Sequence, residues 1–323
     1  MTTAATTTTT TPSDAVTLTF LSTGTVRVRQ PMLSQPAENK VVLMRRLRSL
    51  LDSNWSAELP IGAFLISHPQ GPILFDTGES PRCNDPGFLP FYSPVRAFSR
   101  TAIQPDDDIA AQLQRLGVRP RDLQAVVLSH LHGDHAGGLA DLVADDGPPV
   151  YVSREHWAAF GHAPVAATLA GCNPQRWPPG FAPRLLDPVP VDDDDAGPWP
   201  EAARVTADGR VLAVATPGHV PGHVSLVVRG HHYHHGDPAR TPTPTTYFLP
   251  GDATYTLDAL DREEPDGITA DPEAARQTLR LIKEFARRHR GADDDGVVVL
   301  PSHDPDTPAL LRDRTVYRPR ARE

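Results

Sequence analysis

The segment AVVLSHLHGDHAGGL, residues 125–139, sets His130, His132, Asp134 and His135 at the end of an apolar run. Imidazole and carboxylate are natural ligands for zinc, iron, manganese or cobalt. A turn at a strand's end aims alternate side chains into one pocket, and Gly133 is expected to permit that turn. One such histidine alone is most often a loop residue facing water. Four ligand-type side chains at this spacing read as a metal site.

Four more segments have the same form, an apolar run that stops at a potential ligand or orienting group. They are PILFDTG with Asp76, VLAVATPGH with His219, TTYFLPGD with Asp252 and VVVLPSHD with His303. Asp252 or His303 alone reads as a loop cap. Repeated strand ends can instead converge on one sheet edge, so the pattern implies a single site assembled from distant sequence on rigid supports.

The elements that position these residues are legible in outline. Val16, Leu18 and Phe20 alternate with threonines as in a half-buried strand, and apolar runs at 61–66, 72–75, 125–128, 211–215 and 297–300 read as further strands. Asp106 to Leu116 predicts a helix with Ile109, Leu113 and Leu116 on one face, ended by Gly117. A second helix opens at Asp271 as N-cap with Pro272 in its first turn. It carries Ala275, Leu279, Ile282 and Phe285 on one stripe and stops before Gly291. Proline concentrates at 81–105, 174–200 and 238–250, which predicts stiff loops without regular helix or central strand. The acidic run Asp192–Asp195 reads as a solvated loop, since it lacks the glycine and distal glutamate of a calcium loop. His231–His235 reads as an exposed insertion, although such a run can bind stray transition metals.

The chain has 323 residues, ample for a sizeable core. Its 31 basic and 40 acidic residues give a net charge of -9, which argues against a groove that tracks nucleic acid. Residues 1–14 lack the basic start and apolar stretch of a secretory signal and read as a disordered threonine-rich tail. No apolar run approaches the roughly 20 residues of a membrane helix. Cys83 and Cys172 fit neither a disulfide framework nor a paired zinc motif. The expectation is a soluble, cytoplasmic protein without a membrane or nucleic-acid partner.

With these motifs in hand, the sequence resembles the metallo-beta-lactamase superfamily, whose HxHxDH signature stands here as His130, His132, Asp134 and His135. Within it the chain most resembles the N-acyl-homoserine lactonases. The likeness runs from about Gly71 to Asp304 through GPILFDTG, SHLHGDHAGG, TPGHVPGH, GDATYT, DPEAARQTLRLIKE and SHD, in that order. It implies an α+β fold, a four-layer αβ/βα sandwich over residues 15–323 as a single domain, with insertions near 174–200 and 229–246.

Carried over residue by residue, the resemblance implies two divalent metal ions, zinc first and iron, manganese or cobalt as alternatives. His130, His132 and His219 would hold one ion, Asp134, His135 and His303 the other, and Asp252 would bridge them. His223 matches a histidine that is not a ligand, and Asp76 would orient a ligand from behind. Tyr255 would reach the substrate carbonyl, and Asp134 or the second metal would assist the leaving alkoxide. Two ions about 3.5 to 4 Å apart can lower the pKa of a shared water towards neutrality. The expected reaction is hydrolytic opening of an N-acyl-homoserine lactone or a related lactone.

Phe88, Phe91, Tyr92 and Phe98, with Met32 and Leu33, offer apolar surface for an acyl chain or for a lid. Apolar loops of this kind are equally compatible with a homodimer. A thioesterase or another ester hydrolase of the same superfamily would share every ligand. A catalytically silent binding protein is the alternative from another class, and ligand loss would mark it.

Overall fold

The computed structural model describes residues 14–143, 147–234, 241–289 and 296–320. Thirteen strands are present among them: β1 (Thr17–Val28), β2 (Leu59–Ser67), β3 (Ile73–Phe75), β4 (Ser99–Ala102), β5 (Ala125–Val127), β6 (Val150–Ser153), β7 (Arg184–Leu186), β8 (Val189–Pro190), β9 (Glu201–Arg204), β10 (Val211–Ala215), β11 (Val224–His232), β12 (Thr243–Leu249) and β13 (Val297–Val299). One sheet has the order β4-β1-β2-β3-β5-β6-β7 and the other β13-β12-β11-β10-β9-β8.

The apolar runs are continuous because their strands are buried on both faces, the situation that removes period-two alternation. In β5, Ala125 and Val127 point between the two sheets, while Val126 and Leu128 point outward onto helices. In β13 and its exit, Val298 and Leu300 face the inner core, and Val297 and Val299 face the opposite layer. The outer side of the first sheet is covered by the helices Ile109–Arg115, Leu139–Leu142 and Pro164–Leu169, through Ile109, Leu113, Leu139, Leu142 and Ala167. The outer side of the second is covered by the Pro272–Arg288 helix through Leu279, Ile282, Phe285 and Ala286. The layers run helix, sheet, sheet, helix, as the resemblance implied. Ile282 is fully buried, so Ile282→Ala would cost about 2–5 kcal/mol through lost transfer energy and a cavity.

The long helix begins as expected, with the Asp271 carboxylate accepting from the Glu273 and Ala274 amides at 3.0 Å each. The earlier helix is shorter than expected. Pro105–Asp107 forms a separate 3-10 turn, Asp108 caps the helix, and Leu116 is 49% exposed at its C-cap instead of lying on the buried face. Residues 1–13 of the threonine-rich tail and residues 235–240 of the histidine-bearing insertion lie outside the described residues, as does Gly291.

Three loop expectations are corrected. The proline-rich stretch 238–250 contains β12, a strand with neighbours on both sides. Pro244 is tolerated because His231, opposite it in β11, gives its amide to the Val16 carbonyl instead, and pairing with β13 starts only at Thr246. His231 and His232 are not an exposed insertion: they close β11, and His232 is buried. The acidic run is not a free loop, because Asp193–Ala196 makes one helical turn and the Arg229 guanidinium donates to the Asp195 carboxylate at 2.8 Å. In the other proline-rich stretches, β4, β7 and β8 are edge strands, where a ladder tolerates proline.

Candidate metal centre

In the first sheet β3 and β5 run parallel. In the second, β10, β12 and β13 share one direction, since β11 is antiparallel to both β10 and β12 while β12 and β13 are parallel. The carboxyl ends of these five strands deliver Asp76, His130, His219, Asp252 and His303. His132 follows His130, and the short helix Gly133–Ala136 carries Asp134 and His135. His130, His132, His219 and Asp252 offer ligand atoms within 4.8 Å of one another, and so do Asp134, His135 and His303. All seven residues picked out for metal in the sequence meet at this edge. Gly133 has a different reason from the one expected. Its φ is not positive, and a Cβ there would collide with the Arg176 guanidinium.

Asp252 stands between the two groups. Its Oδ2 lies 3.4 Å from His219 Nε2 and 3.8 Å from His130 Nε2. Its Oδ1 lies 3.1 Å from His135 Nε2 and 3.2 Å from His303 Nε2. Asp134 reaches the second group only, 3.7 Å from His303 Nε2 and 3.9 Å from His135 Nε2.

Each ring is fixed by the nitrogen that faces away. His132 Nε2 donates to the Ala170 carbonyl at 2.8 Å, and His303 Nδ1 donates to the Pro60 carbonyl at 2.8 Å. His135 Nδ1 donates to Asp76 at 2.8 Å, and His219 Nδ1 to Asp266 at 3.0 Å. His130 Nδ1 donates to Ser129 Oγ at 2.9 Å, which donates to Asp76 Oδ2 at 2.9 Å. Asp76 adopts the left-handed backbone region with φ 61, which aspartate tolerates better than most residues. Its Oδ1 accepts the Ser129 amide at 2.7 Å, so this one buried carboxylate orients two rings and the strand exit between them.

With the outer nitrogens donating, the inner nitrogens present lone pairs to one another. His132 Nδ1 and His219 Nε2 are 3.1 Å apart, and His135 Nε2 and His303 Nε2 are 3.4 Å apart. His130 Nε2 and Asp252 Oδ1 are buried without a hydrogen-bond partner. Most buried polar atoms in folded proteins are hydrogen-bonded, and facing lone pairs repel unless a cation stands between them. The donor set therefore fits divalent metal ions.

The electrostatics agree. Burial, then neighbouring imidazoles, hold His130 and His132 well below the usual imidazole range. Burial also opposes charge on His135, His219 and His303, but carboxylates outweigh it: Asp252 first at His135 and His303, Asp266 first at His219. Burial would raise Asp252, yet His135 and His303 hold it well below the usual carboxylate range. The site is built to hold positive charge at neutral pH.

Above the metal groups lies a cavity of about 360 Å³. Its walls include Val26, Val28, Met32, Val95, Phe98, Phe160, Leu169 and Val220. Tyr255 lines it, with ring centroids 5.3 Å from His303 and 6.0 Å from His219. Burial first, then Asp252, Asp266 and Asp134, push the Tyr255 hydroxyl well up, so it remains a donor. No described residue hydrogen-bonds that hydroxyl. Met32 and Phe98 line this cavity as expected, whereas Leu33 lines a different one, Phe91 is fully exposed, and Phe88 packs under Arg82 and Arg176.

His223 is structural, as expected. Its Nδ1 pairs with Thr216 Oγ1 at 2.9 Å, and its Nε2 accepts the Asp252 amide at 3.1 Å. Sequence reasoning missed Asp266, Ser129, His156 and the Glu79–Arg176 pair. Ser129 could have been read from its place at the strand exit. The others carried no spacing relation to the motifs.

Residues 58–234, more than half of the chain, match the metallo-beta-lactamase superfamily. The chain therefore belongs to that superfamily. It is 29% identical over 258 residues to the N-acyl homoserine lactonase AttM of Azorhizobium caulinodans, covering 77% of this chain and 83% of the relative. It is also 29% identical over 261 residues to the probable metallo-hydrolase Rv2300c of Mycobacterium tuberculosis, covering 77% of this chain and 76% of that one. Among solved structures, an N-acyl homoserine lactone hydrolase with the product N-hexanoyl-L-homoserine at its metal center superposes with a TM-score of 0.67 at 22% identity, over 93% of this chain and 97% of that one. The dizinc quorum-quenching lactonase AidC superposes with a TM-score of 0.54 at 15% identity, over 90% and 88%. These likenesses establish the shared fold.

Proposed function

We propose that this protein is a metal-dependent lactonase that opens N-acyl-homoserine lactones or related lactones by hydrolysis. The observation that carries the reading is Asp252, whose two oxygens face two separate groups of oriented imidazoles beneath an apolar cavity. The lactonase relatives support the substrate class. His130, His132 and His219 would hold one ion, Asp134, His135 and His303 the other, and Asp252 both. Zinc suits this nitrogen and oxygen set, with iron, manganese and cobalt as alternatives. When bound, such a pair supplies Lewis acidity and an activated water at neutral pH.

The chain's own groups then divide the work. The apolar walls hold the acyl chain and exclude bulk water from the reacting carbonyl. The Tyr255 hydroxyl donates to the carbonyl oxygen as its charge develops. Asp134, 27% exposed at its side chain, faces the cavity, where it takes up the proton that the attacking water loses and passes it to the departing ring oxygen. Ring opening leaves one hydroxy acid, and no covalent enzyme intermediate is needed.

The inner core joins residues from Val16 to Leu300, which supports one domain over 15–323. No helix among the described residues is long and apolar enough to cross a membrane. Free, buried Cys83 and Cys172 suit a cytoplasmic setting. The net charge of -9 disfavours nucleic acid as a partner, and the exposed Leu43, Met44, Leu47 and Leu51 give a homodimer a surface.

The test is proton release by the metal-loaded protein on short- and long-chain N-acyl-homoserine lactones. Rapid ring opening supports the assignment. Turnover of acyl thioesters with none of lactones would move the protein to the thioesterases.

A further inference from the structure

Asp134 differs from the other six ligand candidates. The five histidines each have an outer partner, and the Asp252 amide is held by His223, but no described residue donates a hydrogen bond to the Asp134 carboxylate. Its position depends on the backbone of the turn from Gly133 to Gly137.

That turn is gripped from outside by Glu79 and Arg176. Both side chains are buried, and Arg176 Nη2 forms an ion pair with Glu79 Oε1. The guanidinium lies over the Phe88 ring, 4.9 Å from its centroid, and takes the space a side chain at Gly133 would need. Glu79 does the same at the other end: a Cβ on Gly137 would stand 2.6 Å from Glu79 Oε1 and 2.9 Å from Glu79 Cα. Glu79 is itself anchored, its Oε1 accepting the Ser80 amide at 2.8 Å and its own amide donating to Thr23 Oγ1 at 3.2 Å. Burial draws the Arg176 guanidinium down to about 10, still charged at neutral pH. Glu79 and Arg176 line the cavity beside Gly133 and Asp134. The two glycines of the GDHAG turn are thus the spaces into which an ion pair from two other segments fits.

We propose that Glu79 and Arg176 form a positioning pair that fixes Asp134, and with it the group Asp134, His135 and His303. This rests on the metal-site reading above, but not on lactones being the substrate. Arg176 comes from the proline-rich stretch that the sequence assigned to loop, so that stretch would set the second half of the metal site.

The experiment measures bound metal per chain and kcat and KM separately for Glu79→Gln, Arg176→Met and the double variant, after dialysis against a weak chelator. An unpaired buried charge in either single variant disturbs the turn, whereas the double variant removes both charges and keeps its fold. The expected result is about one ion per chain against about two in the unaltered protein, in all three variants. The kcat should fall by about 10- to 100-fold, the cost usual for losing a group that orients a ligand, with KM changed far less. Should the single variants fail to fold, the double variant decides alone. Two tightly held ions and unaltered kcat in the double variant would overturn the proposal. The metal count is read without any substrate, so an absence of lactone turnover would count against the proposed function and leave this result intact.

Discussion

His132 Nδ1 stands 3.1 Å from His219 Nε2, while the other nitrogen of each ring already donates, to Ala170 and to Asp266. Two lone pairs at that separation repel unless a cation lies between them. Folding this edge without metal therefore requires a proton or strain. A ligand that binds only the folded state stabilises it by about 4 kcal/mol at a thousandfold excess over its dissociation constant. Chelation should lower the melting temperature by several degrees, and restored zinc should return it. An unchanged melting curve after verified metal removal would contradict this.

Asp252→Asn tests the bridge. The amide keeps the shape but loses the negative charge, and its NH2 can accept no metal on one side. Because Oδ1 and Oδ2 face different histidine groups, both halves should suffer. Activity should fall beyond the roughly 10- to 100-fold typical of removing an outer partner. Metal analysis should show fewer than two ions per chain, with the site that faces the NH2 emptied first; two fully retained ions would mean that Asp252 does not bridge.

The hydroxyl of Tyr255 has no hydrogen-bond partner among the described residues, yet its ring is buried against His303 and His219. Tyr255→Phe should therefore leave stability within about 0.5 kcal/mol, as for a change that removes no contact. The kcat should drop by about 100-fold, the loss expected of one donor to a developing oxyanion. Stopped-flow proton release would measure it. A rise in KM alone would assign the hydroxyl to ground-state binding instead.

The contrast between Asp252 and Asp266 shows what the sequence could carry. Asp252 ends a strand whose apolar run is buried on both faces, so local pattern alone marks it as a strand-end residue. The same holds for His130 and His303. The Pro272–Arg288 helix was legible because cap, proline and stripe agree. Asp266 has no such context. Its backbone is pinned by Arg45, whose Nη2 donates to the Asp266 carbonyl at 2.8 Å across 221 positions of sequence. Arg176 likewise meets Glu79 from a stretch that proline content assigns to loop. β12 was obscured by Pro244, whose tolerance depends on where β13 begins to pair. Contacts between distant segments leave no period to read.

His156 supplies a prediction for acid stability. Its Nε2 accepts the Leu131 amide at 3.0 Å, and its Nδ1 donates to the Pro221 carbonyl at 2.7 Å, so the neutral ring ties the metal-bearing turn to the loop after His219. Burial draws its pKa down to about 4, against the hydrogen bond to Pro221, which raises it, and with His219 lowering it further. In the unfolded chain the ring titrates near about 6.5. Above that value both states are neutral and the stability is fully present. As pH falls from about 6.5 to about 4 the unfolded chain takes up the proton first, so stability is lost across that window and levels off below it. Between pH 7 and pH 5 the loss is about 2 kcal/mol from this residue. His156→Gln keeps a donor and an acceptor at similar reach without a titrating ring. Urea unfolding of both proteins at pH 7 and pH 5 isolates the term, because every other acid-sensitive group, metal ligands included, is common to the two. The variant should lose about 2 kcal/mol less than the unaltered protein on acidification. Equal losses would mean that His156 takes up a proton as readily in the folded chain, and that its two hydrogen bonds do not require the neutral ring.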